Sequence, residues 1–239
     1  MRTQVYADEY RSPAGLTTWM VVSSVLTYVL LAAVLAVDAY GRSTFSTWDD
    51  DSMEFVSDAE ATVGLLLGVS ALGFLAALVV SAVTYFRWLY RMIKNSRALG
   101  VRGVQATPHG AWLWHLVPFA NLVMPFRVMK QIGLSVEPGV GDIDHLSDRT
   151  PADVTSWWAF FLLGGIAGRV ADGMMTTNVT MGTWLSAVSF GLGVVALVYL
   201  IRIARRFAWM MDEKASEVFA AMEEHASIEA SHYSKYRGL

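Results

Sequence analysis

The sequence predicts an all-α integral membrane protein. We expect a helical bundle of four transmembrane helices, a proline-broken segment that re-enters the membrane or lies at its interface, and a cytoplasmic C-terminal helix. The first observation is composition: 54% of the 239 residues are hydrophobic and 16% are charged, against about 25% charged residues in ordinary soluble domains. The second is a set of four apolar stretches near the roughly 20 residues that a membrane-spanning helix needs. The third is the placement of Lys and Arg, which are concentrated in alternate loops.

The four apolar stretches have recognisable starts. The predicted spans are residues 16–37, 61–86, 151–174 and 183–201. Residues 57–60, Ser-Asp-Ala-Glu, form a capping-box pattern before the second span. Arg169 and Asp172 lie near the far end of the third span, and we expect them to form an intramembrane ion pair because residues three apart share a helix face. No Gly or Pro interrupts residues 194–237, which predicts one long helix that leaves the membrane.

The basic residues predict the orientation. Sixteen of the 18 Lys and Arg residues fall before the first span, in the loop 87–150, or after the fourth span. Basic loops stay on the cytoplasmic side. We therefore expect a bacterial inner-membrane protein with both termini cytoplasmic, and an outside loop at 38–60. The predicted organisation is a cytoplasmic tail at 1–15, a single membrane domain at 16–205 and a cytoplasmic helical tail at 206–239.

Several function classes are disfavoured. The chain has no cysteine, which excludes disulfides, thiolate zinc sites and iron–sulfur clusters. Its net charge of −3 offers no basic field for nucleic acid. Nucleotide-binding, hydrolase and metalloprotease motifs are missing. The acidic stretch 142–153 lacks the ligand positions and the glycine of a calcium loop, and we expect it to be solvated. The acidic stretch 49–54 is interpreted as a solvated outer loop, with weak calcium binding as the alternative. We predict no enzyme activity, no metal and no cofactor.

A basic helical face follows the second span. Arg87, Arg91, Lys94 and Arg97 are spaced four, three and three residues apart, which places them on one face of a helix. Such a face contacts anionic lipid headgroups or a partner protein, or simply anchors the span by the positive-inside rule. Leu99-Gly100 predicts the end of this helix, with glycine just past the last turn.

The stretch 110–131 is apolar but broken. No charge lies between Arg102 and Arg127, yet Pro118 and Pro125 interrupt any helix there. A fifth crossing would also place a basic segment on the outside. We therefore expect a re-entrant or interfacial element, with irregular backbone covered by the other helices or lining a wet cavity.

This element holds three further candidate site residues, which are Trp112, His115 and Asn121. A polar group in an apolar stretch is costly and points to a site or to a satisfied structural role. We expect His115 to be structural, and the amide of Asn121 to bond carbonyls that the two prolines release.

A spaced pattern runs through this part of the chain. Its residues are Trp88, Arg91, Asn95, Leu99, Gly100, Pro108, Trp112, Pro118, Asn121 and Pro125, followed by Trp157 and Trp158. The pattern, over roughly residues 60–205, resembles a bacterial membrane family catalogued as domain of unknown function 4328. His115 departs from it, since an aromatic residue is expected there. The resemblance implies a multi-span membrane protein and no known activity.

These observations predict a non-catalytic integral membrane protein, an accessory or scaffolding subunit of a membrane complex. The expected partners are membrane lipids, anionic headgroups at the cytoplasmic face, and other membrane subunits or a second copy, without nucleic acid. Small residues at four-residue spacing, such as Gly164 and Gly168, serve contacts inside the bundle or between subunits. The alternative is a small transporter or channel in which Pro118 to Pro125 line the path.

Overall fold

A computed structural model describes residues 9–45, 57–146 and 149–237. These residues are mainly helical. The helices are α1 (Ala14–Thr44), α2 (Asp58–Ala98), α3 (Gly110–Leu113), α4 (Met124–Ser135), α5 (Ala152–Met175) and α6 (Val179–Arg237). Within the described ranges, strand-like pairing is confined to one isolated bridge between Arg102 and Asp142.

Four of these helices are long and apolar enough to cross a membrane: α1, α2, α5 and α6. Three of them contain one predicted span each, and α5 begins one residue after the start of the third predicted span, so the predicted all-α fold with four such helices is confirmed. Residues 110–131 hold α3, with 4 residues, a 3-10 turn at Ala120–Leu122 and the first part of α4, which has 12 residues in all. A helix of 12 residues is about 18 Å long, well short of the roughly 30 Å of a bilayer core.

The chain divides into two compact units. The apolar unit comprises Thr18–Tyr85 and Trp157–Tyr199, and the charged unit comprises Met1–Thr17, Phe86–Ser156 and Leu200–Leu239. Of the 18 basic residues, all but Arg42 and Arg169 belong to the charged unit.

Small and hydroxyl side chains join the helices of the apolar unit. Between α1 and α2, the Ser24 and Ser81 hydroxyls lie 3.0 Å apart. Between α5 and α6, the Ser189 hydroxyl donates to the Gly164 carbonyl at 2.9 Å, and a Cβ on Gly164 would lie 3.4 Å from the backbone carbonyl oxygen of Ser189. Gly164 therefore serves a contact inside the unit, whereas a Cβ on Gly68 would have no neighbour within 4 Å.

The charged unit has a dense core. Its largest fully buried side chains come from α2, α4 and α6: Trp88, Leu89, Met92, Ile93, Met129, Ile132, Ile203 and Met211. The Trp88 indole donates to the Thr17 hydroxyl at 3.0 Å. This core joins the last part of α2 to α4 and to the part of α6 that follows residue 200.

The end of α2 was predicted correctly. Gly100 has φ +73°, its N–H donates to the Arg97 carbonyl, and the Val101 N–H donates to the Ser96 carbonyl. These two bonds form a Schellman motif, which requires the left-handed conformation that glycine adopts readily. The predicted cap before the second span is also present, since the Glu60 N–H donates to the Ser57 hydroxyl at 3.2 Å.

Candidate membrane-interface site

Large apolar side chains are exposed along residues 113–123, which we call the apolar segment. Phe119 is 85% exposed and has φ +63°, a left-handed conformation that a bulky residue rarely adopts. The other exposed apolar residues are Leu113, Trp114, Leu116, Val117, Leu122 and Val123. Such a contiguous apolar surface marks a site of contact with a membrane or a partner.

The start of the apolar segment is packed against α2. The Phe86 ring lies 5.9 Å from Trp112 and 5.4 Å from His115, measured between ring centroids. One turn further along α2, Tyr90 contacts His109 edge-on at 5.2 Å. Phe86 is the last residue of the uncharged run of α2, before Arg87. The aromatic contacts therefore fix the segment to the point where the apolar part of α2 ends.

The two prolines and Asn121 have different surroundings. Pro118 and Asn121 are exposed, whereas Pro125 is buried in the first turn of α4. The Asn121 side chain makes no hydrogen bond to any residue that the structure describes. The expectation that its amide bonds carbonyls released by the prolines is therefore wrong, because the amide faces outward.

The four residues of the predicted basic face have unequal roles. Arg97 donates to the Ala106 carbonyl at 2.8 Å, and Lys94 pairs with Glu9 at 3.5 Å. Arg87 is exposed and Arg91 is half-buried, and in the described ranges neither has an ion-pair partner. Two cations thus hold neighbouring backbone in place, and two remain available at the surface.

A groove lies beside the first two turns of α4, and we call it the α4 groove. Its volume is about 250 Å³, and it is lined by Gly103, Gln105, Arg127, Lys130, Gln131, Leu134, Ile143 and Asp144. Gln131 accepts from the Ala106 N–H at 3.0 Å, which ties the loop to α4. Gly103 has φ +80°, and a Cβ there would lie 2.6 Å from an Asp144 carboxylate oxygen. Only glycine allows this wall of the groove to form.

Lys214 of α6 is buried against the end of α4. Its ammonium donates to the carbonyls of Ser135 at 2.6 Å, Val140 at 2.5 Å and Glu137 at 3.3 Å. Burial lowers the pKa of Lys214 to about 8, although nearby Glu217 and Glu137 act in the opposite direction. The ammonium caps a helix C-terminus, where a cation is favoured.

Sequence reasoning did not find Lys214, because it stands among acidic residues of α6 and belongs to none of the patterns singled out above. The available signal was its spacing. Lys214 lies three residues after the buried Met211, which itself lies four after the buried Phe207, and residues at these spacings share a helix face.

The described N-terminal residues are held by two other polar contacts. Asn95, fully buried on α2, donates to the Arg11 carbonyl at 2.8 Å. Tyr10 donates to a carboxylate oxygen of Asp212 at 2.5 Å, and burial together with that bond raises the pKa of Tyr10. Asn95 is part of the spaced pattern in the sequence, and its structural role is to fix the chain that leads into α1.

The predicted pair between Arg169 and Asp172 does not form. Both side chains are exposed, and no oxygen of Asp172 lies within ion-pair distance of Arg169. The spacing permits contact, but an exposed pair gains only about 0–1 kcal/mol against the entropy of holding two long side chains.

Among the residues that the structure describes, no group of three or more His, Asp or Glu side chains converges. The acidic residues Asp49, Asp50, Asp51 and Glu54, and Asp148 of the second acidic stretch, lie outside the described residues.

The four long apolar helices define the class: this is a multi-pass helical membrane protein. A family profile described as "Domain of unknown function (DUF4328)" matches residues 51–209. The chain therefore belongs to that family, as the spaced pattern predicted. Comparisons with curated proteins and with solved structures found no match.

Proposed function

We propose that this protein is a non-catalytic subunit of a membrane complex, which anchors a cytoplasmic scaffold at the bilayer. One observation carries the proposal. Helix α6 has 59 residues, about 88 Å at 1.5 Å per residue, and its residues 220–230 are all exposed. A helical stretch whose residues are all exposed is marginally stable in water by itself, so we infer that this stretch binds a partner.

The charge of this stretch indicates the partner's chemistry. Between residues 212 and 229, which include most of the exposed stretch, α6 carries these acidic residues: Asp212, Glu213, Glu217, Glu223, Glu224 and Glu229. The one basic residue among them, Lys214, has its ammonium buried against α4. Exposed Met222 and Ile228 add apolar surface. This combination fits a partner protein with a basic surface that receives an amphipathic helix.

The proposed orientation places both termini in the cytoplasm of a bacterial cell, across its inner membrane. The basis is the division of charge: the charged unit holds every Lys and Arg except Arg42 and Arg169. The positive-inside rule then places the charged unit on the cytoplasmic side. The acidic helical stretch of α6 belongs to the same unit and is presented to cytoplasmic partners.

The apolar segment is proposed to enter the cytoplasmic leaflet. Its exposed side chains include Phe119 and Leu116, and its start packs on Phe86, where the apolar run of α2 ends. Arg87 and Arg91 of the basic face lie directly beyond that point on α2, at the level expected for anionic headgroups. Insertion would bury apolar surface that is otherwise in water.

The transport alternative has less in its favour. Asn121 and Pro118 are exposed and line neither the α4 groove nor the groove in the apolar unit. The groove in the apolar unit, of about 330 Å³, is lined by apolar side chains of α1, α5 and α6 and by four polar ones, Asp38, Arg42, Thr183 and Ser186. The residues that the alternative assigns to the path are therefore absent from both grooves.

The first experiment tests the complex. The full chain is extracted gently from its native membrane, and the mass and composition of what stays bound are determined by native mass spectrometry. We expect a defined hetero-complex with fixed stoichiometry. Reversing charge at Glu217, Glu223 and Glu224 to Lys should release the partner, because the electrostatic match is inverted.

The matched control is Asp172→Lys, an exposed acid in the apolar unit that should leave the complex unchanged. Two results would contradict the proposal. One is a wild-type chain that emerges as a stable monomer or homo-oligomer. The other is a complex that survives the triple charge reversal.

The second experiment tests insertion. Because the chain has no cysteine, Phe119→Cys can be labelled uniquely with a nitroxide in reconstituted bilayers. We expect accessibility to oxygen to exceed accessibility to a polar nickel chelate. A depth of about 5–10 Å would indicate an interfacial element, and a greater depth a re-entrant one. Ala226→Cys, on the exposed part of α6, should report water; an equally aqueous signal at position 119 would refute insertion.

A further inference from the structure

Three arginines lie on the outward side of α6, directly after its uncharged run ends. Arg202, Arg205 and Arg206 are all exposed. The opposite side of the same turns is buried in the core of the charged unit. Its residues are Ile203, Ala204, Phe207, Ala208 and Met211, none of them more than 4% exposed. This part of α6 therefore contributes one side to a core and presents three positive charges on the other.

Two of these three charges are uncompensated. Arg206 lies 3.6 Å from a carboxylate oxygen of Asp153 on α5. Within the part of the chain that the structure describes, the side chains of Arg202 and Arg205 have no ion-pair or hydrogen-bond partner.

The neighbouring positions of α6 offer no compensation either. The residues three and four positions from Arg202 or Arg205, apart from these two, are Val198, Tyr199, Ile201, Arg206, Ala208 and Trp209, with no acid among them. Like charges at such spacings repel each other on a helix surface. An anion held between the two guanidinium groups would offset that repulsion.

The depth of the two arginines indicates where such an anion comes from. Helix α6 is one of the four that are long and apolar enough to cross a membrane, and its uncharged run ends at Ile201. Arg202 and Arg205 follow that residue by about 1.5 Å and about 6 Å along the axis. The polar layer beside the hydrocarbon core is about 5–7 Å thick on each side. Both arginines therefore lie at the depth of lipid headgroups.

The side chains before and after the arginines support a lipid boundary on this face. Val195 and Val198 are exposed and, at seven and four residues before Arg202, share its helix face. Trp209, four residues after Arg205, is 64% exposed, and tryptophan is enriched at membrane–water interfaces. The face thus changes from apolar to basic to amphipathic along the helix, in the order in which a phospholipid presents its acyl chain and its phosphate.

We propose that Arg202 and Arg205 bind the phosphodiester of an anionic phospholipid, in the leaflet where α6 leaves the membrane. Residues three apart on a helix have Cβ atoms about 5–6 Å from each other, so both planar guanidinium forks can contact one phosphate group. Arg206 stays paired with Asp153 and lies outside the site. The site requires neither a partner on the acidic stretch of α6 nor insertion of the apolar segment, because α6 itself crosses the membrane.

The test uses the full chain in an uncharged detergent, titrated with short-chain phosphatidylglycerol and followed by native mass spectrometry. One basic residue near an anionic surface contributes about fivefold in affinity, and two contribute about thirtyfold. The double variant Arg202→Gln/Arg205→Gln should therefore bind about thirtyfold more weakly. The control Arg102→Gln/Arg149→Gln removes the same charge from exposed positions outside the helices and should bind like the wild type.

Thermal unfolding gives a second readout. A ligand that binds only the folded chain raises its Tm. Phosphatidylglycerol should therefore raise the Tm of the wild type and of the control, and raise the Tm of Arg202→Gln/Arg205→Gln much less.

Four outcomes would overturn the proposal. The first is equal weakening in both double variants, which indicates a diffuse charge effect, and the second is unchanged affinity in Arg202→Gln/Arg205→Gln. The third is equal affinity of the wild type for phosphatidylcholine and phosphatidylglycerol. The fourth is displacement of the lipid by millimolar inorganic phosphate, which would make a free anion the ligand. Preference for phosphatidylglycerol in the wild type, lost only in the α6 variant, supports the site.

Discussion

The charged unit and the apolar unit use opposite packing rules. In the charged unit, large side chains such as Trp88 and Met129 are fully buried, and the polar groups beside them are paired. In the apolar unit, large side chains such as Leu65, Leu72 and Ile166 are 69%, 69% and 59% exposed, while small residues occupy the contacts between helices. The packing of the charged unit is therefore typical of a protein in water, and the packing of the apolar unit is typical of one in lipid.

The difference follows from the solvent of each unit. In water, burial of apolar surface stabilises a core by about 25 cal/mol per Å², so the charged unit places its largest side chains inside. In lipid that term vanishes, and helices associate through close approach and hydrogen bonds. Serine, threonine and glycine accordingly line the inner surfaces of the apolar unit, as at Ser24, Ser81 and Gly164.

The largest expected change in the free energy of unfolding follows substitution of Lys214. Lys214→Met removes the donor to three carbonyls and leaves buried acceptors without a partner, which should lower the unfolding free energy of the charged unit by about 3 kcal/mol. Denaturant unfolding in detergent, followed by tryptophan fluorescence, measures it. Glu213→Gln, an exposed neighbour on α6, should change stability by less than about 0.5 kcal/mol. Equal stability of both variants would show that the carbonyls find other donors.

The next largest change in stability is expected for a Gly→Ala substitution in the charged unit, which can be compared with one in the apolar unit. A Cβ at Gly133 would lie 2.7 Å from the Phe207 ring and 2.9 Å from Pro151, so Gly133→Ala should destabilise the charged unit by about 2 kcal/mol through overpacking. Gly68→Ala, in open space, should be neutral or gain up to about 1 kcal/mol from helix propensity. Thermal unfolding of both variants distinguishes them. A destabilised Gly68→Ala would reveal a contact with another subunit at that position.

Two serine pairs allow the same interaction to be measured in both units. Ser96 and Ser135 share a hydrogen bond of 2.8 Å in the charged unit, and Ser24 and Ser81 share one of 3.0 Å in the apolar unit. Double-mutant cycles to alanine should give about 1 kcal/mol for the first pair and about 0.6 kcal/mol for the second. The single variants are the controls within each cycle. A larger coupling for the apolar pair would contradict the assignment of solvents.

Lys214 should also give a pH dependence of stability. The pKa of Lys214 in the folded protein, about 8, is below the roughly 10.4 of free lysine. Between these values the unfolded chain binds more protons, so the contribution of Lys214 to stability rises as pH increases from 8 to 10. In the wild type at high pH, Lys214 loses its proton, and the cost of burying a charge disappears. In Lys214→Met the whole amine is missing at every pH, and the carbonyls that it contacted stay unpaired. The difference in unfolding free energy between wild type and Lys214→Met should therefore grow with pH; a constant difference would refute the lowered pKa.

Part of the site followed from local sequence signals. The break at Pro118 and Pro125, together with 24 uncharged residues between Arg102 and Arg127, predicted an apolar element too irregular to span. The α4 groove was not predicted, because it joins Gly103 and Asp144 to α4 residues that are distant in sequence. The role of Asn121 was predicted wrongly, since its direction depends on a backbone turn at Phe119 that composition does not reveal.

The sequence by itself determined the four apolar helices, the end of α2 at Gly100 and the concentration of basic residues outside the spans. These are local properties, set by hydrophobicity, by glycine's conformational freedom and by charge. The tertiary structure decided which polar groups are buried and satisfied. Lys214 reaches the carbonyl of Ser135, 79 residues away, and Asn95 reaches Arg11, 84 residues away. Such pairings depend on how helices pack, and no pattern along one helix specifies them.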